Sequence, residues 1–148
     1  MMGLFHQQDP IPSYSITQLT EWLTEHLQLL FEAVKLFPVK HLTGSAGSFE
    51  TFAEMIESNR NVDFDIISLK SYEFRMDDFL RIAAKLKRSN HQQRQKMNGI
   101  IPLRVDMIVT AAILTDFVIR KLGITKLSMS AYSLTEGVIW EMWNAPKA

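Results

Sequence analysis

The stretch 39–56, Val-Lys-His-Leu-Thr-Gly-Ser-Ala-Gly-Ser-Phe-Glu-Thr-Phe-Ala-Glu-Met-Ile, carries the fold of this chain in miniature. Val39, Leu42 and Thr43 form a short β-prone run bounded by Pro38 and Gly44, which predicts a strand over 39–43. Five small residues follow, Gly44, Ser45, Ala46, Gly47 and Ser48. Phe49, Phe52, Ala53 and Ile56 then recur at helical spacing, so the order is strand, glycine turn, helix. The alternation Lys126-Leu127-Ser128-Met129-Ser130 repeats the theme nearer the C-terminus, with Ser133 and Glu136 spaced as a capping box for a last helix reaching about Trp143. Helices between successive strands predict parallel pairing, and the expectation is an α/β fold, mostly helical, with a small parallel sheet of two strands.

Outward from this stretch the chain is helical. Ser15 and Gln18 have capping-box spacing, and Ile16, Leu19, Leu23, Leu27, Leu30 and Val34 lie on one stripe, predicting one long helix that Pro38 stops. Residues 1–12, with Pro10 and Pro12, read as an extended N-terminal segment. Residues 59–72 show no clean period, although Val62, Phe64, Ile66 and Leu69 suit an irregular segment or edge strand. Phe79, Ile82, Ala83 and Leu86 predict a helix over 76–88, with Asp77 and Asp78 at its start and Lys85, Lys87 and Arg88 at its end, both in accord with the helix dipole. Ser89 and Gln92 suggest a short capped helix before Asn98-Gly99. Pro102 opens the most apolar helix, with Gly123 placed as its C-terminal cap.

Composition narrows the function classes. The 148 residues suit a single domain, and 47% hydrophobic content excludes a disordered chain. Sixteen basic and sixteen acidic side chains leave a formal net charge of zero, so no global field draws the chain to nucleic acid or to an anionic membrane. No cysteine is present, which removes disulfides and thiolate metal sites and suits a cytoplasmic location. His6, His26, His41 and His91 lack metal-ligand spacing, and no Ser-His-Asp pattern is evident, so no metal and no catalytic residue is assigned. A basic helix end at Lys85, Lys87, Arg88 and Arg94 with few interleaved aromatics argues against a nucleic-acid binder.

Three stretches in order resemble the C-terminal part of the exopolyphosphatase / guanosine pentaphosphate phosphatase (Ppx/GppA) family. They are residues 42–51, similar to the family's second glycine-rich loop; Gln93-Arg94, Gly99 and the run from Arg104 through Asp106 to Val109; and residues 127–138 with Leu134-Thr135-Glu136-Gly137-Val138. Gln93, Ala111, Ala131 and Thr135 depart from the family's usual residues. The resemblance implies a partial ribonuclease H-like domain of the actin-like ATPase superfamily. It implies a phosphoanhydride hydrolase acting on polyphosphate or guanosine pentaphosphate, magnesium-dependent when complete. The family's Asp-x-Gly-Gly-Gly-Ser loop and catalytic carboxylate have no counterpart in these 148 residues, so the expectation is a chain inactive alone, the alternative being a non-catalytic regulatory or interaction domain.

The candidate site is the loop of Gly44, Ser45, Ala46, Gly47 and Ser48. At a helix start, unpaired amides and the positive dipole end bind anions, and serines add hydroxyl donors. The same residues also serve ordinary turn geometry, with Ser48 as N-cap, and that use is the commoner one. The resemblance favours phosphate. Arg94 and Arg104 are supporting cations that can grip phosphate bidentately. The plainer reading is an Arg104–Asp106 or inter-helix ion pair that holds the helix start, with Glu50 structural or the partner of a nearby base. Exposed strand edges and apolar helix faces predict a homodimer, with Trp22, Trp140 or Trp143 among the contacts.

Overall fold

The computed structural model describes residues 8–60 and 64–144. Residues 1–7 of the expected extended start, and Val62, lie outside them. Helices α1 (Ser13–His26), α2 (Gln28–Leu36), α3 (Gly47–Ser58), α4 (Met76–Arg88), α5 (His91–Gln95), α6 (Met107–Leu122) and α7 (Leu134–Asn144) surround strands β1 (His41–Ser45), β2 (Ser71–Phe74) and β3 (Lys126–Ser130).

The sheet is mixed rather than parallel. Its order is β1-β3-β2, with β1 parallel and β2 antiparallel to the central β3. Register puts Leu42 opposite Leu127, Gly44 and Tyr72 opposite Met129, and Phe74 opposite Leu127, so one face is apolar. The other face carries His41, Thr43, Ser45, Ser71, Glu73, Ser128 and Ser130. A 3.0 Å bond joins Thr43 to Ser128, and His41 lies 2.8 Å from the same hydroxyl. The third strand was hidden because Ser71-Tyr72-Glu73-Phe74 is a single cycle of alternation, too short to stand out against its polar surroundings.

Helix α3 packs against β1, α4 and α6 pack against α3 and each other, and Phe79 of α4 reaches Phe74 of β2. Phe52, Phe79, Leu86, Val109 and Ala112 are fully buried there. Edge-to-face contacts join Phe49 to Phe52 and Phe74, and Phe79 to Phe52 and Phe74, with centroids 5.3 to 6.4 Å apart. Helix α4 has the predicted limits, and Gly123 caps α6 in the left-handed conformation at φ 62°. Glu136 accepts from the Ser133 amide at 2.6 Å and from its hydroxyl, as the spacing predicts. These bonds hold the Glu136 carboxyl below its ordinary pKa.

Several expectations are corrected. The stripe from Ile16 to Val34 is two helices, broken at Leu27 (φ −103°, ψ 16°). Only its first half, Leu19 and Leu23, reaches the core; α2 buries nothing, because a period describes a face and not a straight axis. Helix α1 begins at Ser13 after Pro12 with no side-chain cap, and Ser15 is buried inside it. The strand expected at 39–43 is shifted to His41–Ser45 and takes in Gly44. Asn90 and Gln93, not Ser89 and Gln92, form the capping box of α5; the Ser89 hydroxyl instead donates to the Leu86 carbonyl at 2.8 Å. Pro102 opens a 3-10 turn over Pro102–Arg104, and α6 proper starts at Met107.

Candidate functional site

The strand-turn-helix at residues 39–56 is present, and its turn is unusual in backbone. Ala46 sits at φ 58° and Gly47 at φ 21°, both in the region that disfavours side chains. This lets β1 stop at Ser45 and α3 begin two residues later. The N-cap of α3 is Ala46, not Ser48, which lies inside the first turn; no side chain caps the helix. The Phe49 amide goes to the Ala46 carbonyl at 3.1 Å. An uncapped N-terminus of a 12-residue helix presents its first amides and its positive dipole end to any acceptor that reaches them. Ser45 and Ala46 are exposed, and Gly47 and Ser48 half-buried, so the loop is open to solvent on one side and anchored on the other.

The anchor is Phe49. A Cβ on Gly44 would lie 2.2 Å from the Phe49 ring, so glycine is required there by packing and not by φ. Gly47 has a different neighbour. A Cβ at Gly47 would lie 2.0 Å from Arg104 Nη1, which means that the guanidinium rests directly against the loop backbone. Arg104 is delivered by the Pro102–Arg104 turn and is partly exposed. Its ion partner is Glu50, at 3.7 Å, and not Asp106, which lies 2.6 Å from His91 Nδ1 instead. Of the two pairings expected, the one with Asp106 is absent and the one to another helix is present, because the turn points Arg104 across to the start of α3. Reading Glu50 as the partner of a nearby base fits what is seen.

Arg94 plays no part at the loop. Its side chain is 1% exposed and its donors go to the Val105 carbonyl at 2.8 Å, the Ser89 carbonyl at 2.5 Å and Asp9 at 2.8 Å. It pins the N-terminal segment to the start of α5 and to the turn before α6. Buried and held by these three acceptors, with Asp106 3.9 Å from its Nη2, the guanidinium is placed as a clamp and not at the loop. The structure thus brings together Gly44, Ser45, Ala46, Gly47, Ser48 and Arg104, and sets Arg94 apart.

Glu54, one helical turn beyond Glu50, was not singled out from the sequence. Burial pushes its carboxyl above the ordinary range, the Glu50 charge adds to this, and Arg104 opposes it. The i, i+4 spacing of Glu50 and Glu54 was a readable signal. On the far side of α3 a second ionic cluster was not legible, because it joins three elements. Glu57 accepts from Arg60 at 2.7 Å and from the Tyr72 hydroxyl, while Asp78 accepts from Arg60 and, at 2.9 Å, from Arg81. Burial and Glu57 raise the Tyr72 pKa. Among the described residues no group of three or more His, Asp or Glu is placed to hold a metal ion. No helix of the described residues is long and apolar enough to cross a membrane.

The comparisons with known proteins agree with this geometry. An exopolyphosphatase of Cytophaga hutchinsonii superimposes on 99% of the chain with a TM-score of 0.90 and 29% identity. The Ppx/GppA family member of Aquifex aeolicus covers 99% of the chain with a TM-score of 0.78, and an exopolyphosphatase-like protein covers 95% with a TM-score of 0.82; at 18% and 16% identity these two show the fold alone. The chain spans 47%, 46% and 46% of these three structures, about half of each. No curated protein matches the sequence. The sequence profile of the Ppx/GppA phosphatase family matches residues 2–145, nearly the whole length, and the chain belongs to that family.

Proposed function

We propose that this chain forms one wall of the phosphate site of a phosphoanhydride hydrolase acting on polyphosphate or guanosine pentaphosphate, and that by itself it hydrolyses neither. The observation that carries the reading is Arg104 laid against Gly47 at an uncapped helix N-terminus. Fixed amides, two serine hydroxyls and a guanidinium are the donor set that a run of phosphoryl oxygens requires. Hydrolysis needs more. A water must attack the terminal phosphorus in line as the bridging P–O bond breaks, with its proton removed and the charge on the leaving phosphate neutralised. Near the loop Glu50 pairs with Arg104 and Glu54 is half-buried, and the Asp-x-Gly-Gly-Gly-Ser loop and catalytic carboxylate to which the resemblance assigns that step have no counterpart in these 148 residues. The chain's part is to hold and orient phosphate. Lack of cysteine suits a cytoplasmic setting.

The test is a phosphate-release assay with polyphosphate and guanosine pentaphosphate in the presence of magnesium. Release no higher than background is expected of this chain alone. Release that persists in fresh preparations and disappears in an Arg104→Gln variant would overturn the claim of inactivity. Separately, an amide titration with pyrophosphate that moves no resonance between Gly44 and Phe49 would remove the binding claim.

A further inference from the structure

At the other end of α3 lies a concave surface lined by basic side chains, in a molecule whose formal net charge is zero. A cleft of about 820 Å3 opens between the last turn of α4, the end of α5 with the turn after it, and Asn59. Arg81, Lys85, Arg88 and Lys96 line it together with Gln93 and Asn98, and no carboxylate does. Lys87, on the same turn of α4, is directed elsewhere and pairs with Asp116 at 2.8 Å. Lys85, Arg88 and Lys96 have no ion pair among the described residues. Asp78 lies in an adjoining pocket of about 260 Å3 that shares Asn59, Arg81 and Lys85 with the cleft. It is already engaged by Arg60, by Arg81 at 2.9 Å and by Arg75 at 3.8 Å.

Cations at the last turn of a helix are ordinarily a solvated complement to its dipole. Here three of them converge from two helix ends onto one concavity. Their mutual repulsion, with no acid on the wall, favours an anion of several charges. No aromatic ring lines the cleft, so it lacks the stacking platform that a single-stranded nucleic acid uses. Several cations on one wall, with the side-chain amides of Asn59, Gln93 and Asn98 beside them, suit a chain of phosphoryl groups.

We infer that this cleft is a second anion site, for a linear condensed phosphate, distinct from the loop at residues 44–48. A helix of 12 residues is about 18 Å long, and the two sites lie at its opposite ends. The choice of ligand class rests on the function proposed above, but the existence of the site does not.

The experiment is an amide titration of the full chain in magnesium-free buffer with linear tripolyphosphate, and with sulfate at matched ionic strength. Saturable shifts at Arg88, Lys96, Met97 and Asn98 are expected with tripolyphosphate only. An Arg88→Gln/Lys96→Gln double variant should raise the dissociation constant at these resonances at least tenfold. A Lys126→Gln variant, exposed on β3, should leave it unchanged. Both carry surface substitutions, and unaltered spectral dispersion shows that they fold. Equal shifts with sulfate, shifts unaffected by the double variant, or tighter binding of a short single-stranded oligonucleotide would each overturn the inference. Shifts confined to residues 44–49 would overturn it and leave the proposed function standing; shifts confined to the cleft would support it and remove the loop from the proposed function.

Discussion

At the scale of single residues the question at the loop is what competes for Arg104. Glu50 holds it at 3.7 Å, a partly exposed pair of modest strength, and any phosphate must displace or share that contact. Glu50→Gln removes the competitor and a negative charge from the helix N-terminus, and it should tighten pyrophosphate binding several-fold by calorimetry. Unchanged or weaker binding would mean that Glu50 orients the guanidinium rather than masking it. Gly47→Ala acts in the opposite direction, since a methyl group there meets Arg104 Nη1 at 2.0 Å on a backbone at φ 21°. It should displace the arginine and abolish binding, at a cost of about 1–3 kcal/mol in stability. Glu54 supplies a pH dependence. Its pKa is raised in the folded state, so the fold penalises its charged form. The penalty is absent below the ordinary carboxyl pKa of 4.5 and grows as pH rises through the folded-state value. Thermal melts should therefore show Glu54→Gln more stable than wild type at pH 7 and no more stable at pH 4. The reverse order would place the cost of Glu54 in packing instead of charge.

At the scale of elements, the link between α3, β2 and α4 is ionic where it is not aromatic. Tyr72→Phe keeps the ring against Phe64 and Phe74 but withdraws a donor from Glu57, which is 8% exposed. A loss of about 1–2 kcal/mol in urea unfolding is expected, the ordinary cost of an under-bonded buried acceptor. A change under about 0.3 kcal/mol would show that Arg60 alone satisfies the carboxylate. This linkage also marks what the sequence could not disclose. Helix α4 was legible to its ends because Phe79, Ile82, Ala83 and Leu86 form a stripe and both termini carry dipole-matched charge. Strand β3 was legible from Leu127 and Met129 alternating with Lys126, Ser128 and Ser130. Strand β2 was not, since Tyr72 and Phe74 make one cycle of alternation whose meaning depends on β3, more than fifty residues away. The loop at 44–48 could be placed and Arg104 named beside it as a supporting cation, yet its partner could not be fixed. That contact is tertiary, and a local pair with Asp106, two residues on, was one of the plainer readings. Arg94 misled for a related reason: an arginine near a phosphate motif and an arginine buried as a clamp are identical in sequence.

The whole molecule has one feature at odds with a lone chain in water, namely α7. Leu134, Val138, Ile139, Trp140, Met142 and Trp143 are all exposed, Leu134 by 88% and Trp143 by 85%, and no residue of the helix is buried. A helix apolar on nearly every side is ordinarily enclosed. Helix α2 repeats the pattern more weakly with Leu29 and Leu36, and among the described residues β1 leaves one strand edge unpaired. Trp22, by contrast, is half-buried and stacked on His26 with centroids 3.9 Å apart, which makes it the poorest of the three tryptophans as a contact. Covering three α7 side chains on each of two copies would contribute roughly 9–18 kcal/mol by the usual 1.5–3 kcal/mol for each buried apolar side chain. Association costs about 4–15 kcal/mol in lost freedom, so a two-fold pairing of α7 is within reach at micromolar concentration. The expected outcome in sedimentation velocity is a homodimer for the chain as it stands. A Trp140→Gln/Trp143→Gln variant should run as a monomer with an unchanged unfolding midpoint measured on the monomeric state, because neither ring touches the core. A compact monomer for the unaltered chain at tens of micromolar would refute the dimer and show that the apolar side chains of α7 stay in water without association.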